Sequence, residues 1–140
     1  MNGRVIRMPE ELKSKINLTH HVQSHNFCGP ASLKILLSHF GKDYSEEKLA
    51  ELAKATRDNG TEREGMIGAV ESLGGQVFAK EYGTIEELEY FVHEESLPVI
   101  VVWFDQDGDH YSVVTDVTDK NIVIADPSSE ESARLLDRQL

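Results

Sequence analysis

Breaking an amide bond through sulfur requires four things: a thiol of lowered pKa, a base titrating near neutrality, a group that orients the base, and donors for the oxyanion. The sequence holds one cysteine, Cys28, followed by Gly29, Pro30 and an apolar run of helical period through Phe40, which Gly41 stops. Proline suits the first turn of a helix, so the pattern starts a helix near Cys28 and places its thiol where free backbone N–H groups and the helix dipole favour a thiolate. Downstream, His110 opens a β-type segment as a candidate base and Asp126 closes another as a candidate orienting group. Gln23, just ahead of the cysteine, is a candidate oxyanion donor through its side-chain amide.

Taken singly, each residue has an ordinary reading: a buried cysteine, a surface histidine, a turn aspartate before proline. Together they define a geometric requirement. His110 and Asp126 lie 16 residues apart at the open end of an expected hairpin. Because strand side chains alternate faces, both point into one cleft only if the loop near Asp119 to Asn121 has odd length or a bulge interrupts the ladder, and Asn121, tolerant of positive φ, is the residue expected to supply either.

The elements that must position them divide the chain in two. A second helix is capped by Ser45 and carries Leu49, Leu52 and Ala53; a polar loop runs from Thr56 to Glu64. A third helix through Met66 and Val70 ends at Gly74 and Gly75, and Gln76 to Tyr82 reads as a strand. Thr84 and Glu87 form a capping box for a fourth helix. Val99 to Phe104, Tyr111 to Val117 and Asn121 to Ala125 then read as antiparallel strands, with a turn over Asp105 to Asp109. Helices first and strands second specify an α+β domain of N-terminal helices packed on an antiparallel sheet. We expect one domain over 1–140, with 1–20 an N-terminal extension and 129–140 a frayed helical or disordered tail.

Lys plus Arg number 14 against 25 Asp plus Glu, a net charge of −11, which opposes binding to nucleic acid. No apolar run approaches the roughly 20 residues of a membrane span, no secretory signal opens the chain, and a lone cysteine suits a reducing compartment. A cytoplasmic location follows as the expectation. His20, His21, His25 and Cys28 fall close together, but their spacing matches no paired zinc-ligand pattern, so neither metal nor cofactor is expected. Trp103 and Phe104 read as core or cleft wall.

Gln23-Ser-His-Asn-Phe-Cys28-Gly29-Pro30-Ala31, Gly108-Asp109-His110-Tyr111 and Ile124-Ala125-Asp126-Pro127, with Gly60-Thr61 and Leu73-Gly74-Gly75 between them, resemble the C39 peptidases, which are papain-like cysteine peptidases. The resemblance implies Cys28 as nucleophile, His110 as base, Asp126 as the residue fixing the imidazole tautomer, and Gln23 with the Cys28 backbone N–H as oxyanion hole. It also implies a peptide or protein substrate, with a leader peptide or a transporter as a partner. With no membrane span and no phosphate-binding loop, the chain reads as a free-standing relative. An inactive module that binds a peptide, and a papain-like amidase or transferase, are the alternatives.

Overall fold

A computed structural model describes residues 15–81, 83–105 and 108–138. Helix α1, Cys28–His39, begins at the cysteine as its sequence requires, and buries Ala31, Leu33, Ile35 and Leu37. Its end is set by Gly41, whose φ of +73° only glycine adopts freely, while the Lys42 N–H returns to the Leu37 carbonyl. Helix α2, Glu46–Leu52, is capped by Ser45, which accepts from the Lys48 N–H. Helix α3 spans Arg63–Ser72. Leu33, Leu37, Leu49, Ala53, Met66 and Ala69 join the three in one apolar cluster.

Helix α4, Ile85–Glu89, starts at the expected capping box and runs into a single π-helical turn, Tyr90–Glu94. Four antiparallel strands follow in sequential order: β1 Val99–Asp105, β2 Gly108–Val117, β3 Asn121–Ala125 and β4 Arg134–Asp137. Helix α1 packs on the face carrying Ile100 and Val113. The π-turn packs on the other, where Val92 meets Val114, Val117 and Ile124, with Val99, Val101 and Trp103 around them. The sheet is therefore covered on both sides and takes residues of alternating position into separate clusters.

Three expectations are corrected. Residues 76–80 form no strand and are exposed, Phe78 at 72%; their β-propensity finds no sheet edge to pair with, and Tyr82 lies outside the described residues. The tail is ordered as β4 over 134–137, because Leu136 pairs with Ile122 and packs into the Val92 cluster. A four-residue strand offers too little alternation to be seen in sequence. The 1–20 extension is also part of the fold where it is described: Ile16 and Leu18 pack into the core, and the Thr19 N–H donates to Ser38 Oγ. Residues 1–14 lie outside the described residues. Among the described residues no helix is long and apolar enough to cross a membrane.

Candidate active site

The approach to Cys28 is a tight turn. The Phe27 N–H bonds the Ser24 carbonyl at 3.1 Å, and Asn26 takes a φ of +59°, the left-handed conformation that asparagine tolerates at the third position of such a turn. The turn delivers the chain into α1 with Cys28 as the first helical residue, and Phe27 at the N-cap contributes no side-chain cap. Gly29 is required by close approach: a Cβ there would stand 2.7 Å from Thr61 Oγ1 and 2.8 Å from Thr61 Cβ. The two sequence fragments Cys-Gly and Gly-Thr are thus packed against each other. Tyr111 locks the second, donating its hydroxyl to the Thr61 carbonyl at 3.0 Å.

His110 and Asp126 meet through strand register. The β2–β3 hairpin begins with Val117 opposite Ile122 and Asp116 opposite Val123, and an uninterrupted ladder would put Asp126 opposite Val113, facing α1. Instead the register shifts at Thr115, so that Val114 pairs with Ile124 and Val113 with Ala125. Continued one step, that pairing sets Asp126 across from Ser112, on the same face as His110. A bulge is one of the two devices the sequence demanded, but it sits at Thr115 and not at Asn121, which has no positive φ.

The His110 Nε2 lies 2.6 Å from Asp126 Oδ1, leaving Nδ1 as the ring nitrogen for the Cys28 thiol, with which the imidazole also hydrogen-bonds. Asp126 is wholly buried, and its oxygens also accept from the Ser128 N–H and hydroxyl and from Arg134 Nη1 at 2.7 Å. The Trp103 and His110 rings stand nearly perpendicular, their centres 5.3 Å apart, while Trp103 Nε1 donates to Ser112 Oγ.

These contacts set the protonation states. Burial pushes the Cys28 thiol up. The hydrogen bond and charge of His110, with the N–H groups of Tyr111 and Gly29, more than offset this and hold it below its ordinary value of 9.0. His110 is raised from 6.5 to about 9, first by the hydrogen bond to Asp126 and then by that to Cys28. Burial opposes ionisation of Asp126, but His110 and Ser128 hold it well below the usual carboxylate range. A thiol held down and an imidazole held up both favour the thiolate–imidazolium pair over the neutral pair.

Gln23 lies in the same region, its backbone N–H bonded to the Pro127 carbonyl beside Asp126 at 2.8 Å. Its Nε2 donates at 3.4 Å to the Ser24 carbonyl, and its buried Oε1 has no partner among the described residues. All four residues singled out in the sequence thus occupy connected positions. Sequence reasoning missed Tyr111, Ser128 and Arg134, together with Glu46 and Arg57, which grip the 21–27 loop; only the Asp-Pro-Ser turn carried a local signal. Two of the histidines considered for zinc turn elsewhere: His20 Nε2 to the Ser129 carbonyl and His21 Nε2 to Glu46. Among the described residues no three metal-ligating side chains converge.

Residues 15–139 match the model of the peptidase C39 family. The pediocin PA-1 transport/processing ATP-binding protein PedD of Pediococcus acidilactici is 36% identical over 103 residues, 73% of this chain but 14% of that protein. An uncharacterized protein of Methanothermobacter marburgensis is 39% identical over 72% of this chain and 65% of its own length, and one of Methanothermobacter thermautotrophicus is 34% identical over 76% and 70%. The peptidase domain of Streptococcus ComA, a bifunctional ABC transporter involved in quorum sensing, superposes with a TM-score of 0.71 at 25% identity, over 87% of this chain and 86% of that domain. A double glycine motif protease of an AMS/PCAT transporter, solved with its leader peptide, gives a TM-score of 0.66 at 21% identity over 93% and 85%, a likeness of fold.

Proposed function

This chain belongs to the peptidase C39 family, and on that premise we propose that it is a papain-like cysteine peptidase hydrolysing a peptide bond through a thioester on Cys28. The observation that carries the reading is the unbroken line from the Cys28 thiol through the His110 imidazole to the Asp126 carboxylate. The thiolate attacks the scissile carbonyl, and the oxyanion is held by the Gln23 side-chain amide and the Cys28 backbone N–H. The His110 imidazolium protonates the departing amine, the C–N bond breaks, and a thioester remains. Neutral His110 then takes a proton from water as it attacks the thioester; the acid product leaves and the thiolate–imidazolium pair is restored. Asp126 keeps Nδ1 turned to sulfur throughout by holding Nε2.

For the substrate we propose a leader-type peptide, by analogy with the double glycine motif protease bound to its leader. A lone thiolate nucleophile works in reducing surroundings, in keeping with the cytoplasmic location expected from sequence. The test is intact-mass analysis after incubation with iodoacetamide and with a peptide library, comparing wild type with Cys28→Ala and His110→Ala. The expected result is rapid single labelling at pH 6.5, absent in Cys28→Ala and at least about tenfold slower in His110→Ala, since each pKa unit gained by the thiol costs a factor of ten in thiolate. Peptide cleavage dependent on Cys28 completes the case. Labelling no faster than a free thiol, with bound but uncut peptide, makes the chain a binding module instead.

A further inference from the structure

Glu46 is a carboxylate that the chemistry above leaves unused, and it is buried, at 5% exposure. Burying a carboxylate is costly unless every acceptor position is filled, and replacing such a network with apolar groups is often no less stable, so its retention calls for a geometric reason. Glu46 does not cap its own helix; Ser45 does that. Its oxygens reach back across 22 residues, accepting from the Ser24 N–H at 3.0 Å, from the Ser24 hydroxyl, and from His21 Nε2 at 3.1 Å. Arg57 closes the grip from the other side, donating to Ser24 Oγ at 3.0 Å and to the His25 carbonyl at 2.8 Å, with its guanidinium over the Phe27 ring.

All of these bonds converge on the residues flanking Gln23. The Gln23 amide has little to place it by itself: among the described residues its Nε2 finds the Ser24 carbonyl at 3.4 Å and its Oε1 finds nothing. Where that amide sits is therefore decided by its backbone, held at its own N–H by Pro127 and at the following N–H by Glu46. We infer that Glu46 is a positioning residue for the oxyanion donor, fixing Gln23 relative to Cys28 by clamping the Ser24 peptide to the start of α2. The inference rests on the peptidase reading and deepens it.

Two small reagents separate the roles without knowledge of the substrate. Acylation of Cys28 by p-nitrophenyl acetate forms an S–C bond through a tetrahedral oxyanion and expels p-nitrophenolate, whereas iodoacetamide alkylates by displacing iodide at a saturated carbon and forms no oxyanion. Gln23→Ala is expected to slow acylation on the order of 100-fold, the usual cost of one oxyanion donor. Glu46→Ala is expected to slow it about tenfold, with alkylation changed less than twofold. Glu46→Gln, which still offers an oxygen to the Ser24 N–H, recovers several-fold over Glu46→Ala. The double variant Gln23→Ala/Glu46→Ala acylates no more slowly than Gln23→Ala, because the clamp has nothing left to position. Equal loss of acylation and alkylation in Glu46→Ala, or multiplication of the two losses in the double variant, overturns the inference. Should Glu46→Ala fail to fold, Ser24→Ala removes the hydroxyl's bonds to Glu46 and to Arg57 and must show the same selective loss. A wild-type protein that neither reagent modifies faster than a free thiol defeats the peptidase reading itself, a different result from any of these.

Discussion

His110 is expected to titrate at about 9 instead of its ordinary 6.5, and the causes of that displacement can be separated. The interval amounts to about 3 kcal/mol of preference for imidazolium, at 1.36 kcal/mol per unit. The hydrogen bond to Asp126 is the largest contribution and that to Cys28 the next, with burial working against both. Imidazole NMR titration of wild type, Cys28→Ala and Asp126→Asn measures them. Cys28→Ala should bring the pKa down but leave it above 6.5; Asp126→Asn should bring it down further. Because the folded pKa is above the unfolded one, this group's stabilising contribution is fully present below pH 6.5 and is lost as pH rises through 9. Denaturant unfolding in a Cys28→Ala background, where no thiolate titrates in the opposite sense, should therefore show stability lost between pH 6.5 and 10, relative to Cys28→Ala/His110→Gln. A wild-type titration near 6.5, or an Asp126→Asn variant still titrating near 9, refutes the reasoning.

Gly29→Ala inserts a methyl group at 2.7 and 2.8 Å from Thr61 atoms; a loss of about 1–3 kcal/mol and a fall in Tm of several degrees are expected, read by calorimetry. Arg134→Met leaves Asp126 Oδ2, on a side chain with no exposure, without its guanidinium partner, and denaturant unfolding at pH 7 should show a loss of about 1–3 kcal/mol. The Asp126 pKa is depressed in the fold, so its contribution is present above the ordinary carboxylate pKa and fades as pH falls; a denaturant midpoint lower in Asp126→Asn than in wild type at pH 7, with the two converging in strong acid, is the check. Tyr111→Phe frees the Thr61 carbonyl and should raise hydrogen exchange across residues 58–62 while leaving β2 protected, measured by exchange mass spectrometry.

What could be read in the sequence was local. Cys28 at a helix start, Gly41 at its end and Thr84 with Glu87 at α4 are each decided by neighbours within four residues, and each is found where expected. The union of Cys28, His110 and Asp126 was legible because residue type and order restrict the chemistry. What failed depended on distant partners. Val77 and Phe78 carry strand propensity but meet no sheet edge, while Arg134-Leu135-Leu136-Asp137 is a strand only because β3 presents one. The contacts of Arg134 and Glu46 were missed for the same reason: an ion on a polar segment looks solvated until the fold brings a buried partner to it.

The candidate site is built from the ends of elements. Cys28 opens α1, His110 is the third residue of β2, Asp126 follows β3 directly, and Arg134 opens β4. Ends leave backbone groups unpaired, which is what allows the Pro127 carbonyl to hold Gln23 and the Ser24 peptide to be held by Glu46. Ends also move when register moves. A single extra residue at Thr115, far along the strand from the imidazole, decides whether the Asp126 carboxylate lies on the face of His110 or on the face of α1. The proposed chemistry therefore depends on residues that touch neither sulfur nor imidazole, and substitutions that allow β2 to slip by one position would disconnect His110 from Asp126 while leaving every residue of the candidate site in place.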